Sequence, residues 1–195
     1  AAATTMRARA QDVAGLVRYS DLNADLVLGK THLLLLADHG SAEPSQRMAD
    51  ALVADALGKG LSVVLIDAGS GYVGENPGLS DLSLNRVGFG DIVQKSADQS
   101  YAEVAWGQGE TIDRNSTKPS TLVEALGDIY EVVLVLTGKV GSRSTLPVFA
   151  DLGGRVVLVT DESEDVDSAD SVRRQLIQAG LPRVEILALD DAVAA

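Results

Sequence analysis

Unbroken apolar runs alternate along this chain with stretches in which apolar residues recur at helical spacing. The first run, residues 33–36, leads into a loop at 37–45 and then into a predicted helix. A second run, residues 61–66, ends at Asp67. The helix between them has one apolar stripe, formed by Met48, Leu52, Val53, Ala56 and Leu57. Uniformly apolar runs are typical of parallel strands covered on both faces. The pattern therefore predicts a strand–loop–helix–strand unit of the size of a parallel crossover.

The same alternation continues through the rest of the chain. Further strands are predicted at 102–106, 132–136, 155–160 and 184–189, and further helices at 79–82, 90–95, 120–130, 146–152 and 168–179. In these helices we expect Phe89, Ile92, Val93 and Ile129 to face the core, and Ser120 to serve as an N-cap. Strands that alternate with helices in this way predict an α/β fold, a mostly parallel doubly wound sheet with helices on both faces.

The pattern before the first strand predicts a helical lead-in over residues 1–30. Val13, Leu16, Val17, Leu22 and Leu26 recur near helical spacing there. Residues 31–195 then predict a single α/β domain without repeats. Because the chain starts abruptly with three alanines, we expect it to be a piece of a longer protein, whose membrane segments, if present, lie outside this sequence.

Composition narrows the classes of partner and chemistry. The net charge of −12 argues against nucleic acid or an anionic membrane surface as the main partner. The chain has no cysteine, which excludes disulfides and thiolate metal sites. No apolar run approaches the roughly 18 residues of a spanning helix, and no signal peptide is visible. We therefore expect a cytoplasmic domain.

Three stretches carry a resemblance to a known family. Residues 65–68 read LIDA at the end of the opening unit, residues 77–82 read PGLSDL with GDIV following at 90–93, and residues 130–137 read YEVVLVLT. In this order they resemble the cytoplasmic P-loop ATPase domain of bacterial exopolysaccharide chain-length and export proteins, relatives of the bacterial tyrosine kinases within the MinD/ParA-like group. The resemblance covers most of residues 13–191 and implies a P-loop-NTPase-like fold.

The loop after the first strand departs from that family's phosphate loop, S-x-x-P-G-E-G-K-S-T. Counting back from residues 65–68 without a gap places Ala42 and Pro44 on the glycines, Ser45 on the lysine and Gln46 on the Mg²⁺-binding hydroxyl. A phosphate loop needs those glycines, that lysine and that hydroxyl, and proline removes a backbone donor. The degenerate phosphate-loop positions are Gly40, Ser41, Ala42, Glu43, Pro44, Ser45 and Gln46.

This chain also lacks an acidic residue that the family motifs contain. Asp67 matches a family acid, but Leu136 stands where the third family motif has an aspartate. Losing the lysine and the Mg²⁺ ligands together removes charge neutralisation at the γ-phosphate. The resemblance with these departures predicts a non-catalytic domain of an exopolysaccharide biosynthesis, chain-length or export protein. It predicts no cofactor, and partners that are other copies of itself or other exopolysaccharide-assembly proteins.

Two alternatives to this non-catalytic function stay open. One is an ATPase or tyrosine-kinase-like domain that binds ATP and Mg²⁺ through a remodelled loop, with Lys139, Arg143 or Arg47 supplying the missing charge. The other is a free-standing MinD/ParA-type regulatory protein. The loop that follows the predicted strand at 132–136 bears on the first alternative, because it could bind an anion or be a flexible connector. Its candidate residues are Gly138, Lys139, Gly141, Ser142 and Arg143.

Other chemistry is less favoured by the sequence. The acidic run at 161–170 lacks the spacing of a calcium loop and precedes a helix, where carboxylates suit the helix dipole. His39 and Ser41 could be imagined as a hydrolase pair, but neighbouring side chains rarely meet in the required geometry and no G-x-S-x-G elbow is present. Trp106 is expected to pack at a strand end.

Overall fold

The computed structural model describes residues 15–40, 43–161 and 166–189. Seven strands form one sheet in the order β3-β4-β2-β5-β1-β6-β7, and every neighbouring pair is parallel except β3 with β4. The strands are β1 Leu33–Asp38, β2 Val63–Asp67, β3 Val93–Lys95, β4 Tyr101–Val104, β5 Val132–Lys139, β6 Arg155–Thr160 and β7 Val184–Ala188. The predicted α/β class, with a mostly parallel doubly wound sheet, is confirmed.

Helices connect these strands. They are α1 Tyr19–Val27, α2 Pro44–Gly58, α3 Leu79–Ser83, α4 Lys118–Gly127, α5 Leu146–Phe149 and α6 Val166–Gln178. Single 3₁₀ turns stand at Phe89–Asp91 and Ala150–Leu152. None of the helices in the described ranges is long and apolar enough to cross a bilayer.

Alternate residues of the central strands point to opposite faces and so build two cores. On one face Leu34 and Leu36 pack with α1 and α2, through residues such as Leu22 and Met48. On the other face, Leu35 and the strand residues that point the same way pack with α3, α4 and α5. Both faces are covered, which is why the strands read as continuous apolar runs.

Within the described part of the lead-in, the predicted helix begins only at Tyr19. Gly15 to Val17 run alongside β7 instead: the Val17 N–H donates to the Ile186 carbonyl oxygen (2.8 Å), and the Ile186 N–H donates to the Gly15 carbonyl oxygen (2.8 Å). Helix α1 then buries Leu22 and Leu26 against the sheet. Val13, also expected on this helix, lies outside the described residues.

The prediction of a helix at 90–95 is wrong. One 3₁₀ turn is followed by β3, which pairs antiparallel with β4. A tight turn built on Asp98 sets up this pairing, because its Oδ1 accepts hydrogen bonds from the Ser96 hydroxyl (2.7 Å) and the Ser100 N–H (3.1 Å). Ile92 is buried as expected and Val93 partly so, whereas Phe89 is 39% exposed.

Two details of α4 also differ from expectation. The helix begins at Lys118, so Ser120 lies inside it and its hydroxyl donates to the Thr117 carbonyl oxygen (3.0 Å) instead of capping the N-terminus. Because the helix ends at Gly127, Ile129 lies beyond it and is 64% exposed. Burial of this helix rests on Leu122, Val123 and Leu126.

Candidate functional site

The carboxyl ends of β1, β2 and β5 meet at the middle of the sheet, where α/β proteins place their sites. They surround a cleft of about 180 Å³. The loop after β5 lies beside the loop after β1, and the Val140 N–H donates to the Asp38 carbonyl oxygen (3.2 Å). The cleft is lined by Asp38, Glu43, Ser45, Gln46, Asp67, Gly69, Ser70, Leu136, Gly138, Lys139 and Arg143.

Asp38 lines this cleft but was not among the site residues predicted from the sequence. Its side chain is buried, and its Oδ1 accepts a hydrogen bond from the Ser45 N–H (2.8 Å) in the first turn of α2. Burial raises the pKa of the Asp38 carboxyl, and the bond from Ser45 opposes that rise only in part. The sequence signal was an acid that closes an apolar strand shortly before a helix.

The position of this carboxylate matters because helix N-terminal amides are the donors that hold phosphate in nucleotide-binding loops. Here an acidic side chain of the protein itself takes one of those donors. Pro44, at the first position of α2, has no N–H to offer. Ser41 and Ala42, two of the predicted loop positions, lie outside the described residues.

Asp67 is engaged with its own loop. Its Oδ1 accepts the N–H groups of Gly69 (3.1 Å) and Ser70 (2.9 Å), and its Oδ2 accepts the Ser70 hydroxyl. These bonds hold the turn after β2. That turn lies close against the β5 loop, because a Cβ at Gly69 would stand 2.0 Å from the backbone nitrogen of Gly138.

Two of the three cations considered as substitutes for the family lysine line the cleft. Lys139 and Arg143 stand on the β5 loop, and no ion pair is recorded for either within the described ranges. Arg114 holds this loop from the side, since its Nη2 donates to the Ser142 carbonyl oxygen (2.6 Å). Arg47 instead pairs with Asp161, away from the cleft lining.

Tyr72 contacts Glu43 of the cleft lining and was not among the candidates predicted from the sequence. Its side chain is exposed, and its hydroxyl donates to the Glu43 carboxylate at 3.3 Å from each oxygen. The negative charge of Glu43 raises the pKa of Tyr72. With Asp38, Glu43 and Asp67 facing Lys139 and Arg143, carboxylates outnumber cations in the lining.

Asp81, in the stretch that most specifically resembles the family, has a structural role. Its buried Oδ2 accepts the N–H groups of Gly78 (2.9 Å) and Gln108 (2.8 Å). It thereby fixes the start of α3 to the loop after β4. A Cβ at Gly107 would lie 2.4 Å from the same oxygen, so a glycine fits this close approach.

Within the described ranges, the other candidates do not assemble into a second site. His39 Nε2 lies 2.8 Å from the hydroxyl oxygen of Ser168 on α6. In the acidic run, residues 162–165 fall outside the described ranges, and Asp170 pairs with arginines of its own helix. Trp106 is packed in the core, and its Nε1 donates to the Gly109 carbonyl oxygen (2.8 Å). Over the part of the chain that the structure covers, no cluster of His, Cys, Asp or Glu could hold a metal ion.

Comparisons with known proteins find likeness in structure and not in sequence. No model of a known family matches the chain, and no curated protein matches it. Among solved structures, the kinase domain of VpsO has 20% sequence identity and a TM-score of 0.66, over 86% of this chain and 89% of that one. The kinase domain of Escherichia coli tyrosine kinase ETK has 18% identity and a TM-score of 0.63, over 87% of this chain and 71% of that one.

A ParA family ATPase from Chlorobium tepidum is also similar, with 17% identity and a TM-score of 0.59, over 80% of this chain and 73% of the other. These likenesses agree with the resemblance to tyrosine kinase relatives and ParA-like ATPases that the sequence motifs carry. At such identities they establish the architecture. The chain has the P-loop-NTPase-like α/β fold of the tyrosine kinase domains and ParA-type ATPases.

Proposed function

We propose that this chain is a non-catalytic domain of an exopolysaccharide biosynthesis, chain-length or export protein, placed on the cytoplasmic side of the membrane and acting through contacts with other proteins. The observation that carries the proposal is the buried Asp38 carboxylate on the Ser45 N–H. It occupies a backbone donor that a phosphate would need. The likeness in fold to the kinase domains of VpsO and ETK and the sequence motifs support the family context.

Electrostatics supports the absence of nucleotide chemistry. A phosphate that approached the start of α2 would come close to the Asp38 carboxylate, and two like charges about 4 Å apart repel by about 4 kcal/mol at an effective dielectric constant of about 20. The cleft volume of about 180 Å³ is also below the roughly 300–1,000 Å³ of small-molecule sites. Leu136 and Gln46, which line the cleft, bring no charge that would hold Mg²⁺.

Titration calorimetry with ATP and Mg²⁺ tests this proposal. We expect no heat of binding at micromolar to low millimolar ATP, and no phosphate release or transfer to tyrosine. The Asp38→Asn variant is titrated in parallel. Its side-chain oxygen can still accept the hydrogen bond from the Ser45 N–H, but the negative charge is removed. Micromolar binding by the unaltered chain that is lost in Lys139→Ala or Arg143→Ala would overturn the proposal.

That outcome would support the second candidate, an ATP-binding domain with a remodelled phosphate loop. The observation in its favour is that Lys139 and Arg143 both line the cleft without a recorded ion pair in the described ranges. Partner contacts are tested separately by multi-angle light scattering across a concentration series. Self-association is expected, and a strict monomer at high concentration would argue against other copies of the chain as partners.

A further inference from the structure

Two neighbouring cavities lie away from the cleft that carries the proposed function. The first, of about 460 Å³, opens near the amino ends of β1 and β6, and Lys30, Arg155 and Arg183 are part of its lining. The second, of about 480 Å³, is a groove between α5 with its following 3₁₀ turn and the end of α6. Each volume falls in the range of about 300–1,000 Å³ typical of small-molecule sites.

The two cavities adjoin each other. They share four lining residues, namely Ala150, Gly153, Leu181 and Pro182. At Gly153 no atom lies within 4 Å of the point where a Cβ would stand, so this shared residue faces open space. An extended ligand could therefore place one end in each cavity.

The first cavity carries an excess of positive charge. Arg155 donates to the Glu185 carboxylate from Nε (2.5 Å) and Nη2 (3.0 Å), and its Nη1 pairs with Asp25 (2.7 Å). Arg183 lies 3.6 Å from the same glutamate, and no ion pair is recorded for Lys30 within the described ranges. Three cations thus face two carboxylates, in a chain whose net charge is −12. Such a local reversal of sign attracts an anion.

The second cavity is apolar. Its walls include Val140, Leu146, Leu176 and Leu181, and Asp151 is the ionisable group of its lining. Leu176 and Leu181 are partly buried, so one side of each packs on the core while the other faces the groove. An apolar groove that adjoins a cationic cavity is complementary to an apolar chain that ends in an anionic group.

We propose that these adjoining cavities bind a single-chain anionic amphiphile, an alkyl or acyl chain with a phosphate or carboxylate head. The head lies between Lys30 and Arg183, and the chain lies in the groove along Leu146 and Leu176. The ligand binds as one molecule and not as part of a bilayer, because the two cavities together match a small ligand. This site is independent of the proposed loss of nucleotide chemistry at the cleft.

Titration calorimetry of the full chain with dodecyl phosphate, kept below its micelle-forming concentration, tests the site. We expect one molecule bound per chain. The double variant Lys30→Gln/Arg183→Gln should weaken binding by about tenfold, because it removes the two cations between which the head group is placed. The Ala179→Trp variant, at an exposed position of the groove, should weaken it similarly by filling the space for the chain.

Control variants distinguish binding at this site from non-specific binding of the amphiphile. The variant Lys59→Gln/Lys95→Gln removes two exposed cations outside both cavities and should bind like the unaltered chain. Thermal melts show whether each variant is folded. Equal affinity for dodecanol, or unchanged affinity in both site variants, would overturn the proposal. Flotation with phosphatidylglycerol vesicles that persists in Ala179→Trp, without binding of monomeric dodecyl phosphate, would overturn it in favour of a membrane surface.

Discussion

The buried Asp38 carboxylate accepts a hydrogen bond from the Ser45 N–H at the start of α2, with 2.8 Å between the nitrogen and Oδ1. The carboxyl is costly to ionise there, and burial raises its pKa above its ordinary value. A group whose pKa is raised in the folded state contributes most to stability when protonated. Its contribution is therefore present below the unfolded-state pKa and is lost as the pH rises through the folded-state value.

The Asp38→Asn variant should consequently be at least as stable as the unaltered chain at pH 7, and its advantage should shrink toward pH 4. Urea unfolding at both pH values measures this. Asp38→Ala is the contrasting variant, since it leaves the Ser45 amide without its acceptor and should cost about 1 kcal/mol. A marked loss of stability in Asp38→Asn at pH 7 would show that the charge itself is needed.

The pair between Arg155 and Glu185 joins β6 to β7 in a partly enclosed setting, with the side chains 17% and 7% exposed. Glu185→Ala should destabilise the chain by about 3 kcal/mol, because it leaves a poorly solvated guanidinium with Asp25 as its remaining carboxylate. Arg155→Met combined with Glu185→Leu should recover much of that loss. Thermal or urea unfolding of the single and double variants provides the measurement, and equal losses in both would contradict the explanation.

Asp81 ties two loops together through the amides of Gly78 and Gln108. Asp81→Ala should cost about 2–4 kcal/mol, since both buried bonds are to a charged acceptor. Asp91 is the matched control: it accepts the Gly88 N–H (2.8 Å) in a similar local arrangement but is exposed. Asp91→Ala should cost about 1 kcal/mol or less. If urea unfolding found the two losses to be alike, Asp81 would be a simple cap and not a link between the loops.

Gly69 lies where the loop after β2 approaches the loop after β5. Gly69→Ala should destabilise the chain by at least about 2 kcal/mol, because its Cβ would meet the Gly138 backbone at 2.0 Å. Gly74→Ala, in the same connection but with no atom within 4 Å of its Cβ position, should be nearly neutral. A comparison of the two melting temperatures tests this, and a neutral Gly69→Ala would mean that the loops can separate without cost.

Much of the architecture could be predicted because the hydrophobic pattern reports it directly. The strand predicted at 155–160 has the same bounds in the structure. Its four central residues are apolar, as a strand covered on both faces requires. The prediction failed where elements are short. In β3, Gln94 and Lys95 are exposed, and antiparallel pairing across the Asp98 turn decides the conformation.

Several residues of the cleft lining are among the candidates named from the sequence. Position along the chain placed Glu43, Asp67, Lys139 and Arg143 after strands whose carboxyl ends meet, and the structure brings them to one lining. Which groups are engaged could not be known beforehand, because hydrogen bonds depend on distances of tenths of an ångström. Asp38 and Tyr72 were missed for that reason.

By itself, the sequence determined the fold class and most of the order of strands and helices. Tertiary structure decided where the remaining charges go. In the folded chain, Asp38 is buried and accepts a hydrogen bond from the Ser45 N–H, and Asp67 accepts hydrogen bonds from its own loop. Arg47 forms an ion pair with Asp161. The physical reason is that burial follows from the pattern of apolar residues, whereas the environment of each charge is set by contacts between residues far apart in the chain.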